Sequence, residues 1–234
     1  MPNKSSYTKE MILKAWGEFA DALTEEEKKE LLDSCVIKVF KKDEPFYQIG
    51  EIARYIMFVV KGNGRIYRGG SGERHQIIRL LKVGDSFSYR AAFSNKNYVT
   101  GAAPFAECTL CMIPVDVMLR VMHNNVNVCM FFIRQLSMDL TFPVTALINL
   151  TQKNVRGRLA DALLALADYY GYEPDGKTLA IYITREDIAC LAYMTTANAI
   201  RTLSAFVAEG LVEIDRRRIK ILDKKKLEMT SMYE

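Results

Sequence analysis

Histidine is nearly absent from this sequence: His75 and His123 are the only two. That scarcity removes the His-based metal sets on which a cupin-type β-roll enzyme depends. No Walker-type loop, no His-Glu-x-x-His and no nucleophile with a matching His/Asp set is present, so no catalytic constellation is expected. Cysteine is sparse and odd in number: Cys35, Cys108, Cys111, Cys129 and Cys190 are scattered along the chain. Such spacing does not build a disulfide framework and fits a reducing, cytoplasmic setting. No run of eighteen apolar residues occurs, so a membrane span is not expected. The first ten residues are polar and contain no apolar signal core, so no secretory leader is expected.

What remains is an ordinary globular composition, half apolar and about a quarter charged, over 234 residues. That length can bury a sizeable core in one or two domains. The net charge of +4 is unevenly placed. Residues 184–226 hold nine Lys/Arg against six Asp/Glu, which leaves +3 in the last fifth of the chain. A basic C-terminal segment suits a polyanionic partner, although a solvated charged face reads the same way.

The hydrophobic period changes along the chain. Residues 9–34 read as helical through Trp16, Phe19, Ala20 and Leu23, and Thr24 with Glu27 forms a capping-box pattern. From 35 to about 114, short β-rich runs alternate with turn signals: 35–40, 55–60, 64–67, 75–81, 87–89 and 106–113. Many short strands at close spacing predict an antiparallel roll or barrel. Gly69 to Gly72 reads as a hairpin tip. Lys61-Gly62-Asn63-Gly64-Arg65 could pass for a phosphate loop, but no helix follows it, so a strand turn is expected.

From Pro114 the pattern turns helical. A short helix is expected over 116–122 and a long one from about Val126 to Leu150. In the long one Ile133, Leu136, Leu140, Pro143, Leu147 and Leu150 are spaced like a heptad seam, as in a two-stranded coiled coil. A helix lying on its own domain's core remains the alternative. Pro143 should kink or open it. The expected dimer contacts are Ile133, Leu136, Leu140 and Leu147. Another helix is expected over Val155–Tyr170, stopped by Gly171, then a turn at 173–176 and a short strand over 179–183.

Thr184-Arg185-Glu186-Asp187 opens the next helix with a second capping pattern. Ile188, Leu191 and Ala192 form its inner face. Tyr193-Met194 makes a tight turn, and Thr195 or Thr196 caps a following helix. There Ala199, Ile200, Leu203, Phe206 and Val207 can face inward, with Thr195, Thr196, Asn198 and Arg201 outward. Two strands, 212–215 and 218–222, then form a wing. Two short helices, a tight turn and a wing describe a winged helix-turn-helix. A helical hairpin of some other small domain is the competing reading.

In these motifs the chain resembles the CRP/FNR regulator family. The carriers are Thr184-Arg185-Glu186-Asp187-Ile188-Ala189, Arg201-Thr202-Leu203 and Glu209-Gly210-Leu211-Val212. Val155-Arg156-Gly157-Arg158-Leu159-Ala160 resembles the family's joint between dimer helix and DNA-binding domain. Phe58-Val59-Val60-Lys61-Gly62 and Leu81-Lys82-Val83-Gly84-Asp85-Ser86-Phe87 are similar to its cyclic-nucleotide-binding fold. The resemblance spans roughly residues 25–225. It implies an α+β fold: N-terminal helices (1–34), an antiparallel β-roll sensor (35–125), a long dimerisation helix (126–154) and a C-terminal winged helix-turn-helix (155–234). It implies a homodimer on double-stranded DNA, with RNA polymerase downstream. The DNA-contacting set it implies is Thr184, Arg185, Thr195, Thr196, Asn198, Arg201 and Arg217.

The effector site departs from the family. Cyclic-AMP binders carry Gly-Glu after the aspartate turn, then Arg-Ser or Arg-Thr, and a Thr-Ser pair on the long helix. Here those positions read Tyr89-Arg90, Val99-Thr100 and Pro143-Val144. The effector pocket is therefore expected at Tyr89, Arg90, Val99, Thr100 and Pro143, and cyclic AMP is not expected in it. An iron–sulfur cluster is not expected either, because no cysteine precedes Cys35, and Cys108 and Cys111 on one strand face opposite sides. No cofactor is identified. A haem-based gas or redox sensor of the same family is the alternative, with His75, His123 or one of the eleven methionines as candidate axial ligands. A ligand-binding module without a DNA role is the other rival.

Overall fold

A computed structural model describes residues 7–69 and 75–234. Three N-terminal helices, α1 (Lys9–Trp16), α2 (Glu18–Asp21) and α3 (Glu25–Ser34), precede the strands. Gly17, with φ 49°, ends α1, so the helical stretch read from the spacing is in three pieces. Thr24 caps α3 as its sequence indicates: its hydroxyl accepts from Glu27 N, and the Glu27 carboxylate accepts from Thr24 N.

The strands are β1 (Val36–Phe40), β2 (Tyr55–Lys61), β3 (Gly64–Gly69), β4 (His75–Leu81) and β5 (Ser86–Phe87). The short helix α4 (Tyr89–Phe93) follows, then β6 (Gly101–Pro104) and β7 (Cys108–Pro114). They make a four-stranded sheet, β1-β7-β2-β5, and a three-stranded sheet, β4-β3-β6. The central pair β2 and β7 is antiparallel, with Met57 opposite Met112 and Phe58 opposite Cys111.

Both strands of that pair are buried on both faces, which explains their unbroken apolar sequence. Ile56, Phe58 and Val60 face one core with Trp16, Phe19, Phe131 and Phe132. Met57 and Val59 face the other with Phe40, Phe46, Phe87 and Leu110. Cys111 goes to the first core and Cys108 to the second, on opposite sides as the two-residue strand period requires. Burial pushes the Cys108 thiol up to about 12. Contact with Cys35, and then burial, holds Cys111 higher still. Neither thiol is a thiolate near neutral pH, so both act as core residues.

The loop at 61–65 is a strand turn. Gly62 has φ 87°, and a Cβ there would lie 2.5 Å from the Glu107 carbonyl oxygen, so the position admits glycine alone. Of the Gly69–Gly72 tip, only Gly69 lies inside the described residues, where it ends β3.

Next come α5 (Val115–Asn124), α6 (Val126–Asp139) and α7 (Thr141–Gln152). The expected long helix therefore has one interruption, at Leu140. Pro143 has no N–H to donate to the Asp139 carbonyl, and its ring crowds that oxygen. Leu140 itself keeps right-handed helical angles, φ −69° and ψ −22°.

The remainder comprises α8 (Val155–Tyr170), α9 (Arg185–Leu191), α10 (Thr196–Ala208), β8 (Val212–Asp215), β9 (Arg218–Ile221) and α11 (Lys224–Tyr233). Gly171, with φ 75°, ends α8 where the sequence places its stop. No strand forms over 179–183; Thr178 and Leu179 make isolated bridges, and Ile181 and Ile183 turn into the core. The chain divides into two compact units, Met1–Arg68 with Arg79–Thr141 and Gly69–Ile78 with Phe142–Glu234. The division falls after Thr141, the first residue of α7, inside the segment read as one dimerisation helix. Among the described residues no helix is long and apolar enough to cross a membrane.

Candidate nucleic-acid interface and sensor core

The C-terminal unit holds α9 and α10 on a core of Leu159, Leu163, Ile188, Leu203, Phe206 and Leu211, all buried. Thr184 caps α9: its hydroxyl accepts from Asp187 N at 3.1 Å and donates to Asp187 Oδ2 at 2.6 Å. Tyr193 takes a left-handed backbone, φ 53°, in the turn between the helices. That reversal lets Met194 N reach the Ala189 carbonyl at 3.0 Å. Ala189 is buried, and its single methyl allows this close approach.

Thr195, not Thr196, caps α10, accepting from Asn198 N at 3.3 Å. Ala199, Thr202, Leu203 and Phe206 are the buried side of that helix. This stripe is narrower than the sequence suggests. Ile200 and Val207, expected inward, are exposed. Thr195, Thr196 and Arg201 are exposed and Asn198 is half-buried. The Arg201 guanidinium donates from Nη2 to Asn198 Oδ1, which fixes its direction on the helix surface.

A second arginine anchors the far end of α10. Arg156 makes a two-pronged bond to Glu209, 2.8 and 2.9 Å, and a third bond from Nε to Glu234. Its guanidinium carbon lies over the Phe206 ring, 5.0 Å from the ring centre. These partners, Glu209 foremost, raise the Arg156 pKa and lower that of Glu209. Such paired geometry orients α10 on α8.

At the start of α9, Arg185 is half-buried, and its Nη1 is sheltered without a hydrogen-bond partner among the described residues. Burial lowers its pKa. The wing pairs Val212 with Ile221 and Asp215 with Arg218. Arg217 lies exposed in its turn, whereas Arg218 is bonded to Glu173. All seven residues of the expected DNA-contacting set therefore belong to one unit, at the start of α9, the first half of α10 and the wing tip.

In the roll, the residues expected around an effector separate by burial. Tyr89 is buried, Thr100 is half-buried, and Arg90 and Val99 are exposed. Pro143 is exposed on α7, in the other unit. Tyr89 is held inside the protein: its hydroxyl donates to Asp139 Oδ2 at 2.8 Å and accepts from Arg79 Nη1 at 3.1 Å. Arg79 and Asp139 also pair directly at 3.3 Å. Burial raises the Tyr89 phenol above its ordinary range, so it stays protonated. Tyr47 stacks on Tyr98 with 3.7 Å between ring centres, and the Tyr98 hydroxyl meets Ser88 Oγ. The sequence reading missed the Arg79–Tyr89–Asp139 cluster, because its members lie ten and fifty residues apart. No group of three or more His, Cys, Asp or Glu able to hold a metal occurs among the described residues.

Along the apolar seam, Ile133, Leu140 and Leu147 are exposed, and Leu136 is half-buried against the roll's own core. No residue of α7 is buried, although Phe142, Val144, Leu147, Ile148 and Leu150 lie on it.

Comparison with known proteins agrees with this division of labour. Residues 37–125 match the cyclic nucleotide-binding domain, and residues 157–230 match the Crp-like helix-turn-helix domain. The chain is 21% identical to electron transport regulator A of Shewanella oneidensis over 82% of its own length and 77% of that protein. It is 20% identical to the global nitrogen regulator of Synechococcus elongatus over 80% of this chain and 86% of the relative. Among solved structures it shares the fold of FixK2 from Bradyrhizobium japonicum, with a TM-score of 0.77 and 21% identity over 86% of this chain and 98% of that one. With a cyclic-nucleotide-binding-type roll followed by a Crp-like helix-turn-helix, the chain belongs to the CRP/FNR family of DNA-binding transcription regulators.

Proposed function

We propose that the chain works as a homodimer that reads a two-fold symmetric DNA site and responds to an effector other than cyclic AMP. The observation that carries the DNA reading is the exposed first half of α10, where Asn198 orients Arg201 outward from a helix fixed at both ends. A guanidinium held there can give two hydrogen bonds to the O6 and N7 of a guanine. Thr195 and Thr196 would meet phosphates or neighbouring base edges. Arg185 and Arg217 lie where backbone contacts would add affinity without sequence preference. The family's Arg-Glu pair near the start of this helix is replaced by Thr196 and Ala197, so the preferred site differs from the usual family half-site.

Dimerisation is supported by the uncovered apolar residues of α6 and α7, which need a partner to leave water. The effector reading rests on the roll. Ser88 takes the left-handed backbone, φ 77°, that the Gly of the family's Gly-Glu pair would favour. That moves the pair one residue earlier than the Tyr89-Arg90 read from the sequence: the glutamate's place falls on Tyr89, already engaged by Arg79 and Asp139, and the phosphate-binding arginine's place falls on exposed Val99. Neither can hold a ribose or a cyclic phosphate. RNA polymerase is the downstream partner by family resemblance.

Site selection from random duplex DNA, with wild type and Arg201→Ala, tests the reading. The wild type should enrich one symmetric sequence. Arg201→Ala should lose about 1–3 kcal/mol at a single base pair of each half-site and relax preference there. An unchanged consensus with uniformly weaker binding would make Arg201 a phosphate contact and remove the base-reading claim.

A further inference from the structure

Ile200 was expected to face inward, yet 47% of it is exposed on α10, beside Arg201. Ile200 is outside the buried side of α10, which is formed by Ala199, Thr202, Leu203 and Phe206. Its neighbours on the same helix face are Ala197, three residues before, and Ser204, four residues after, and both are exposed. Those side chains are short, so the Ile200 aliphatic branch stands above them on the exposed face, one residue before Arg201. No acidic residue lies in the first turn of α10 to oppose DNA.

We propose that Ile200 is a specificity residue that reads the C5-methyl group of a thymine next to the base pair contacted by Arg201. The inference rests on the DNA reading above and names what this face selects. In the major groove the thymine methyl is the apolar group that distinguishes this base, and an aliphatic side chain is its complement. Cytosine has hydrogen where thymine carries that methyl, so the apolar contact is lost there. The recognition face thus combines one cationic fork for guanine with one apolar contact for thymine. That differs from an all-polar surface, and it predicts a G-T or T-G step within each half-site.

The test uses the full chain and the site it selects from random DNA. Each thymine of the half-site is replaced in turn by deoxyuracil, which lacks only the methyl group. Affinity for wild type should fall about four-fold per half-site at one thymine, the expected loss for one buried methyl contact. Ile200→Ala, a surface change that favours the helix, should bind the thymine site more weakly and show no further loss with deoxyuracil. Ile200→Val should retain part of the effect. A wild type indifferent to deoxyuracil at every position, while still binding its selected site, would overturn the inference and leave the DNA reading intact. The same would follow if Ile200→Ala kept the full four-fold dependence. Failure of the wild type to enrich any sequence would overturn both.

Discussion

Leu140→Glu combined with Leu147→Glu is expected to convert the protein from dimer to monomer and to abolish specific DNA binding. Both side chains are exposed, 68% and 62%, so neither holds the protomer's fold. Surface changes of this kind usually shift stability within about 0.5 kcal/mol. The two are one heptad apart in the sequence, the spacing at which a coiled-coil seam repeats. A two-fold interface presents each residue twice. The double variant therefore removes four leucines from the interface and introduces four carboxylates. Burying a leucine contributes roughly 1.5–3 kcal/mol, and desolvating an unpaired carboxylate costs several kcal/mol. Together these exceed the roughly 8 kcal/mol that holds a micromolar dimer. Leu136 is left untouched because it packs on the roll's core, and a charge there would unfold the protomer. Sedimentation equilibrium at micromolar protein should show one mass for the variant and twice that mass for the wild type. A monomeric wild type would remove the dimer reading.

Asp139→Ala should destabilise the N-terminal unit by about 3 kcal/mol, the lower end of the cost of breaking a buried ion pair. The side chains of Asp139 and Arg79 are 9% and 12% exposed, so solvent repairs little of the loss. Removing the carboxylate takes one close ion-pair partner from the sheltered Arg79 guanidinium and the Asp139 acceptor from the Tyr89 hydroxyl. Asp139→Asn keeps an acceptor for Tyr89 and loses only the charge, so about 1.5 kcal/mol is expected. Trp16 is the single tryptophan and sits in the core of this unit, so its fluorescence during urea unfolding reports the change directly. A loss below about 0.5 kcal/mol for Asp139→Ala would show that the cluster is a solvated surface pair. The cluster ties Arg79 of β4 and Tyr89 of α4 to the last turn of α6, one residue before the interruption at Leu140.

Much of this architecture was legible because each legible element carried its own local signal. Thr24 and Thr184 announce helix starts through capping boxes, and Gly171 announces a helix end. The wing shows as two short alternating runs, and both cores appear as apolar strands at close spacing. What escaped notice lacked such signals. Strand β6 is Gly-Ala-Ala-Pro, with no β-branched or aromatic residue, and exists through pairing with β3. Helix α4 begins at a left-handed Ser88, which no periodicity marks. Helix α11 opens with three lysines, so its apolar side, led by buried Leu227, is thin. Ile200 is the instructive case. Its hydrophobicity and spacing point to the core, but Ala199, Thr202 and Phe206 fill the contact with α8 and α9 and leave it outside. The Arg79–Tyr89–Asp139 cluster is a tertiary event, invisible until the roll closes.

The central claim is that two copies of the helix-turn-helix read one DNA site together. Hydroxyl-radical footprinting of the wild type on its selected duplex tests this most directly. Two protected patches of equal strength are predicted, related by two-fold symmetry and centred one helical turn apart, roughly 34 Å. A single protected patch, or uniform protection without a preferred sequence, would contradict it.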